Sequence, residues 1–166
     1  MKKAYRYFLI FLAFSLLSTL HAQQEEQAFD FWVSQWDVHW FGPDSTRVNG
    51  TNHIEKILDG KVLQEHFEDP ADGFRGTSLS VYNSQQATWY QSWADNGGGY
   101  FHFEGDTSNG NRIFSMTEED SRGVLYRMVF SDITPDSLTW TWEGTRDGGK
   151  TWKTAWIIYY ERKDMP

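Results

Sequence analysis

Leu138-Thr139-Trp140-Thr141-Trp142-Glu143 and Trp156-Ile157-Ile158-Tyr159-Tyr160, joined through Thr145-Arg146-Asp147-Gly148-Gly149-Lys150-Thr151-Trp152, decide the fold. In the first stretch Leu138, Trp140 and Trp142 alternate with Thr139, Thr141 and Glu143. Alternate residues of a strand share a face, so the pattern is one apolar face and one polar face. A helix would scatter the same residues around its axis. In the last stretch Trp152, Trp156, Ile158 and Tyr160 are expected on one face, with Thr154 the only polar member. Trp, Tyr, Ile and Thr all favour a pleated surface. Asp147-Gly148-Gly149 between the two makes a tight reversal, and short reversals join antiparallel neighbours.

The same alternation extends back along the chain. Strands are expected at 36–41, 48–57, 61–69, 76–83, 87–94, 99–104, 112–117, 124–131, 137–143 and 152–162, separated by Gly, Asn, Asp and Pro turn signals such as Gly42-Pro43-Asp44 and Thr134-Pro135-Asp136. Regular short strands at this spacing indicate a sandwich or an up-and-down barrel. Nine Trp in 166 residues need a large buried space, and a closed sheet provides it. The expectation is an all-β fold, an antiparallel up-and-down barrel of about ten strands. Residues 24–32 alone read as helical, one or two turns leading into the first strand.

Several strands carry large side chains on both faces. Tyr126, Met128 and Phe130 oppose Leu125, Arg127 and Val129, and Phe101 and Phe103 oppose Tyr100, His102 and Glu104. A sheet with one buried face does not look like this. Either the outer face packs on a partner or helix, or one face is core while the other lines a cavity. Ten strands are enough to enclose a ligand.

Lys2, Lys3 and Arg6 open the chain, an apolar run extends from Phe8 to Leu17, and Ala22 precedes the polar Gln23-Gln24-Glu25-Glu26. This is the layout of a cleaved secretory signal, and the apolar run is well short of the ~20 residues that cross a bilayer. The expected organisation is a signal peptide at 1–22, a polar tether at 23–28 and a single β-barrel domain at 29–166. The protein is then exported, periplasmic or extracellular, without a stable membrane anchor. No cysteine is present, so neither a disulfide nor a lipidated Cys contributes. Loss of Lys2, Lys3 and Arg6 with the signal leaves 12 basic against 23 acidic residues, a balance of −11. An acidic surface disfavours nucleic acid as a partner.

Phe29-Asp30-Phe31-Trp32-Val33-Ser34-Gln35-Trp36-Asp37-Val38 resembles the opening of lipocalin-like (calycin-like) barrels, with Ser34 where the usual pattern has Gly. The resemblance implies that Trp36 plugs one barrel end and that Arg162, late in the closing strand, stacks on it. Ile54 to Glu65 and Gly73-Phe74-Arg75-Gly76-Thr77-Ser78-Leu79 resemble a family of exported bacterial lipocalin-like proteins of unassigned function. Thr145 to Trp152 is similar to the Asp-box hairpin, Ser/Thr-x-Asp-x-Gly-x-Thr-Trp, which implies a turn staple and no catalytic group.

Composition excludes some chemistry and leaves a few candidates. There is no Gly-x-Ser-x-Gly elbow, and His39, His53, His66 and His102 fall in no metal-binding spacing. The last His is far from the closing strands, which argues against haem, and no cofactor or metal is expected. A ligand-binding wall is expected from Trp89, Gln91 and Trp93, which share a face, with Tyr100, His102 and Glu104 on the next strand. Arg75 and Arg127 are candidates to hold an anionic head. If Arg127 is buried it must pair with Glu55, Glu65 or Glu104, or meet a ligand. Asn96-Gly97-Gly98-Gly99 is either a plain hairpin or a lip over a cavity mouth. The leading expectation is a barrel that binds a small hydrophobic or amphipathic molecule. The alternatives are an acid–base enzyme using His102 with Glu104 or Glu65, and a carbohydrate-binding module using exposed Trp89 and Trp93.

Overall fold

Period-two patterning produces strands wherever the sequence carries it. In the computed structural model, which describes residues 23–163, ten strands form. They are β1 (Ser34–Phe41), β2 (Arg47–Ile57), β3 (Val62–Asp69), β4 (Phe74–Asn83), β5 (Thr88–Asp95), β6 (Tyr100–Asp106), β7 (Ile113–Met116), β8 (Leu125–Ser131), β9 (Ser137–Thr145) and β10 (Lys153–Arg162). Each lies within two residues of an expected segment. Every strand pairs antiparallel with its chain neighbours, and β1 pairs with β10, Trp36 opposite Arg162, so the sheet closes into a barrel. Closure leaves no free edge to template aggregation. Residues 1–22, read as an export signal, lie outside the described residues. Among the described residues no helix is long and apolar enough to cross a membrane.

The residues read as a tether are docked. Residues 23–26 make one helical turn, and Asp30–Trp32 form a 3-10 turn entering β1. Ala28, Phe29 and Trp32 are buried beneath the barrel end. The Trp89 indole N–H donates to the Glu25 carbonyl at 2.8 Å, and Lys56 pairs with Asp30 at 2.7 Å. Amphipathic packing, rather than propensity, holds so short a helix.

At this plugged end Trp36 is fully buried and meets Tyr160 edge to face, 5.8 Å between ring centroids. The Arg162 guanidinium lies 4.4 Å from the Trp36 ring centroid, and it donates to the carbonyls of Val33, Phe31 and Pro135. The stacking implied by the resemblance is therefore present, and the cation is satisfied by backbone dipoles rather than left bare.

The register assigns the two faces. Trp36, Val38 and Trp40 of β1 point inward, as do Phe103 of β6, Met128 and Phe130 of β8, and Ile158 and Tyr160 of β10. The inner face is thus core at one end and, as described below, cavity wall at the other. The outer face keeps a second set of aromatic contacts, His39 on Tyr159 and Tyr90 on His102, both stacked. Trp152 does not join Trp156 as expected. The β9–β10 register shifts between Thr154 and Trp156, and this bulge turns Trp152 to the outside.

Candidate functional site

β4 brings small residues to its inner face, Gly76, Ser78 and Ser80, while Leu79 and Val81 point out. The bulky indoles of Trp140, Trp142 and Trp156 on β9 and β10 are not met by equal bulk from that side. The result is a cavity of about 210 Å³. It lies toward the barrel end that carries the 70–73, 96–99 and 146–152 connections, away from the Trp36 plug. Its wall is aromatic, with Phe67, Phe74, Trp93 and Phe101 facing the three indoles.

Gly76 is essential to this shape. A Cβ there would come within 1.9 Å of the Trp93 ring, so only glycine lets that indole lie flat along the wall and leave the space open. Trp93 is then fixed by its own N–H, which donates to Asp95 Oδ2 at 3.1 Å. Burial raises the Asp95 carboxyl, but hydrogen bonds from the Gly99 amide, the Trp93 indole and the Gly97 amide outweigh it and hold it below the usual carboxylate range. The Asn96–Gly99 loop is therefore wrapped on Asp95 at the cavity rim.

One acid reaches deep into the cavity. Glu65 of β3 sits between Leu63 and Phe67 on the inward face and is buried. Its Oε1 accepts from Asn52 Nδ2 at 2.7 Å, and its Oε2 accepts from Ser78 Oγ at 2.6 Å. Asn52 Nδ2 also donates to the Tyr160 hydroxyl at 3.0 Å. Burial raises the Glu65 carboxyl to about 7, the bonds from Ser78 and Asn52 opposing it. Burial, and next the Glu65 charge, push the Tyr160 phenol well above its ordinary range. Two further buried oxygens, Asn52 Oδ1 and Gln91 Oε1, accept no hydrogen bond among the described residues, although Gln91 donates to Ser80 Oγ at 2.9 Å. Unpartnered buried acceptors are rare, and neither Asn52 nor Gln91 lines the cavity itself.

The candidate residues divide by face. Trp89, Gln91 and Trp93 point into the barrel, Trp93 on the cavity wall and Trp89 against Phe29. Tyr100, His102 and Glu104 point outward and are exposed. The cause is register: Phe101 pairs with Trp93 and Phe103 with Gln91, so the phenylalanines take the inner face. Arg75 is also exposed on the outside. Arg127 faces outward too. It pairs with Glu143 at 2.7 Å, not with Glu55, Glu65 or Glu104, and lies 4.1 Å beneath the Trp152 ring. Neither of these outer arginines reaches the cavity to hold an anionic head.

His102 and Glu65 sit on opposite faces of the sheet, and His102 and Glu104 share the exposed outer face of β6, so neither pair forms an acid–base couple inside the barrel. Trp89 is buried and Trp93 is turned inward, so neither offers a flat indole to a sugar in solvent. Among the described residues no three His, Asp or Glu side chains gather as metal ligands. The sequence suggests Glu65 only as a partner for Arg127 or His102, and the structure gives it a different place. The signal for that place is local: an acid two residues from Leu63 and two from Phe67, on the face those residues bury.

No known protein family matches the sequence, and no curated protein matches it. Among solved structures the chain is similar to a de novo designed fluorescence-activating β-barrel. The two are 11% identical, with a TM-score of 0.44 over 83% of this chain and 98% of the design.

Proposed function

We propose that this barrel binds a small, partly apolar molecule in the aromatic cavity. The observation that carries the reading is a space of about 210 Å³ walled by indole and phenyl rings, with one carboxyl at its floor. Convergent apolar walls with a few placed polar groups are what small-molecule sites present. A dry apolar cavity of ~150 Å³ already admits benzene, so this one suits a single-ring ligand with a short polar arm. The resident groups position and desolvate a ligand. Of the acid–base candidates only Glu65 lines the cavity, whereas His102 and Glu104 lie on the exposed outer face, which favours binding over turnover.

The test is a titration of intrinsic Trp emission with single-ring aromatics, together with native mass spectrometry of the protein as purified. The expected result is a saturable emission change that is lost in Gly76→Val, where the new side chain drives Trp93 into the space. An unsaturable response, equal in the wild type and Gly76→Val, would overturn the reading. The proposal includes export, supported by the charge and hydropathy layout of residues 1–22. N-terminal sequencing of the mature protein should then begin near Gln23.

A further inference from the structure

We infer that the cavity selects a small organic cation, an aromatic or aliphatic amine with one ammonium head, and rejects carboxylate ligands of the same size. This rests on the binding reading above and specifies the ligand class. The argument begins with charge. Two ionisable carboxyl groups line the cavity, Glu65 at the floor and Asp95 at the rim, and among the described residues no Lys, Arg or His side chain does. Two arginines of the flanking strands are engaged elsewhere, Arg127 with Glu143 and Arg162 with the backbone carbonyls at the plug.

Second, Glu65 is buried without a cation. It accepts two hydrogen bonds, from Asn52 and Ser78, and a carboxylate has room for about four. A buried anion that lacks a countercharge is costly, and a ligand ammonium would supply both the charge and the missing donors. Third, the remaining wall suits a cation. Trp140 and Trp156 meet at 86° with centroids 5.7 Å apart, and Phe67 stands nearly perpendicular to Trp156. Rings at right angles present both faces and edges to the enclosed space, and indole faces attract cations more strongly than any other side-chain ring. A carboxylate ligand would meet the same faces, two like charges and no cationic donor.

The groups around Glu65 set the pH behaviour. Asn52 of β2 and Ser78 of β4 are neutral donors, Tyr160 of β10 stays protonated, and Asp95 of β5 stays ionised. Glu65 is then the group whose charge changes near neutrality. An amine ligand should bind it ionised, and affinity should fall as pH drops.

The experiment uses three probes of nearly equal size on the intact protein: 2-phenylethylamine, 2-phenylethanol and phenylacetate. Affinities are read by calorimetry and Trp emission at pH 8 and pH 5. The expected result is amine binding at least tenfold tighter than alcohol at pH 8, with no detectable phenylacetate binding. The amine preference should shrink severalfold or more at pH 5, while alcohol affinity stays constant. Glu65→Gln should equalise amine and alcohol, and its far-ultraviolet dichroism should match the wild type. Should that variant misfold, the pH comparison on wild-type protein tests the same carboxylate without any substitution. Alcohol or phenylacetate binding as tightly as the amine overturns the cation inference and leaves the binding reading standing. Failure of all three probes to bind overturns both.

Discussion

The two ends of this barrel are built from the same residue types and end up in opposite states. At one end Trp36 is sealed by Tyr160 and by Arg162, and the N-terminal turn inserts Phe29 and Trp32 from outside the sheet. Phe29 stacks on Phe114 at 4.4 Å and meets Trp89 edge to face. At the other end Trp93, Trp140, Trp142 and Trp156 line the wall, but no segment among the described residues enters to fill the space between them. Aromatic content alone therefore does not decide whether a barrel end is core or cavity. The decision lies with a plug on one side and with the small inner face of β4 on the other.

Single truncations should expose that contrast. Phe29 is completely buried, and Phe29→Ala should cost about 4 kcal/mol in a urea or guanidinium melt, the lost transfer free energy and the new cavity together. Phe101, half-buried on the cavity wall, already borders a void. Phe101→Ala should cost less than half as much, since little packing is lost beside empty space. Equal losses at the two sites would mean that the ends do not differ in packing.

The next largest effect separates the ends by charge. Arg162 at the plug is matched by carbonyls, whereas Glu65 at the cavity floor has only neutral donors. The Glu65 pKa is about 7 in the folded protein and that of an ordinary glutamate, ~4.3, in the unfolded chain. Its folded value is raised, so the contribution to stability is full below the unfolded value and is lost as pH climbs to about 7. The difference is about 3 kcal/mol between pH 4 and pH 8. Glu65→Gln should remove that slope and leave a protein more stable than wild type at pH 8. Denaturant melts of both proteins across the range measure it. A wild-type slope unchanged by the substitution would place the titration elsewhere.

Gly76→Ala acts on the cavity end alone. Its Cβ would collide with the Trp93 ring, which must swing into the cavity or push β4 aside. The expected cost is ~1–3 kcal/mol, the range for overpacking, with ligand affinity down roughly tenfold or more. Stability lost without loss of affinity would show that Trp93 does not wall the site.

More of the barrel than of the site is legible in the sequence. Strand positions and the helical entry follow from alternation and turn residues, and the Trp36–Arg162 pair is what the resemblance of the opening and closing segments to lipocalin-like barrels implies. Face assignment is harder. Both faces of β6 hold aromatics, so Phe101-His102-Phe103-Glu104 reads equally well either way round, and its polar members point to the wrong side. The inward choice for Trp89, Gln91 and Trp93, carried across the hairpin by antiparallel pairing, places Phe101 and Phe103 inside. Glu65 looks like an ordinary strand carboxylate because its surroundings, Asn52, Ser78 and Tyr160, come from three other strands. The β10 bulge, which moves Trp152 outward, has no period-two signature at all.

That outward tryptophan belongs to the smallest predicted effect. Asp147 Oδ1 accepts from the Lys150 and Thr151 amides and from Thr145 Oγ1, and its Oδ2 accepts from Thr151 Oγ1. These bonds, led by the Thr151 hydroxyl, hold its carboxyl far below the usual range. Gly148 and Gly149 take positive φ to complete the turn, and Trp152 donates to the Gly149 carbonyl at 3.1 Å. The loop rises at the cavity end, but its Trp rests on Arg127 outside the barrel and forms no part of the cavity wall. Asp147→Ala should lower Tm by a few degrees, in keeping with a solvated network, and leave probe affinity within about twofold of wild type. Because the folded pKa is depressed, the network's contribution is present above pH ~4 and is lost on acidification, so mutant and wild-type melts should converge at low pH. A drop in affinity matching the drop in Tm would tie the hairpin to the site and make the open end one cooperative unit, rather than a rigid wall with a separately stapled turn.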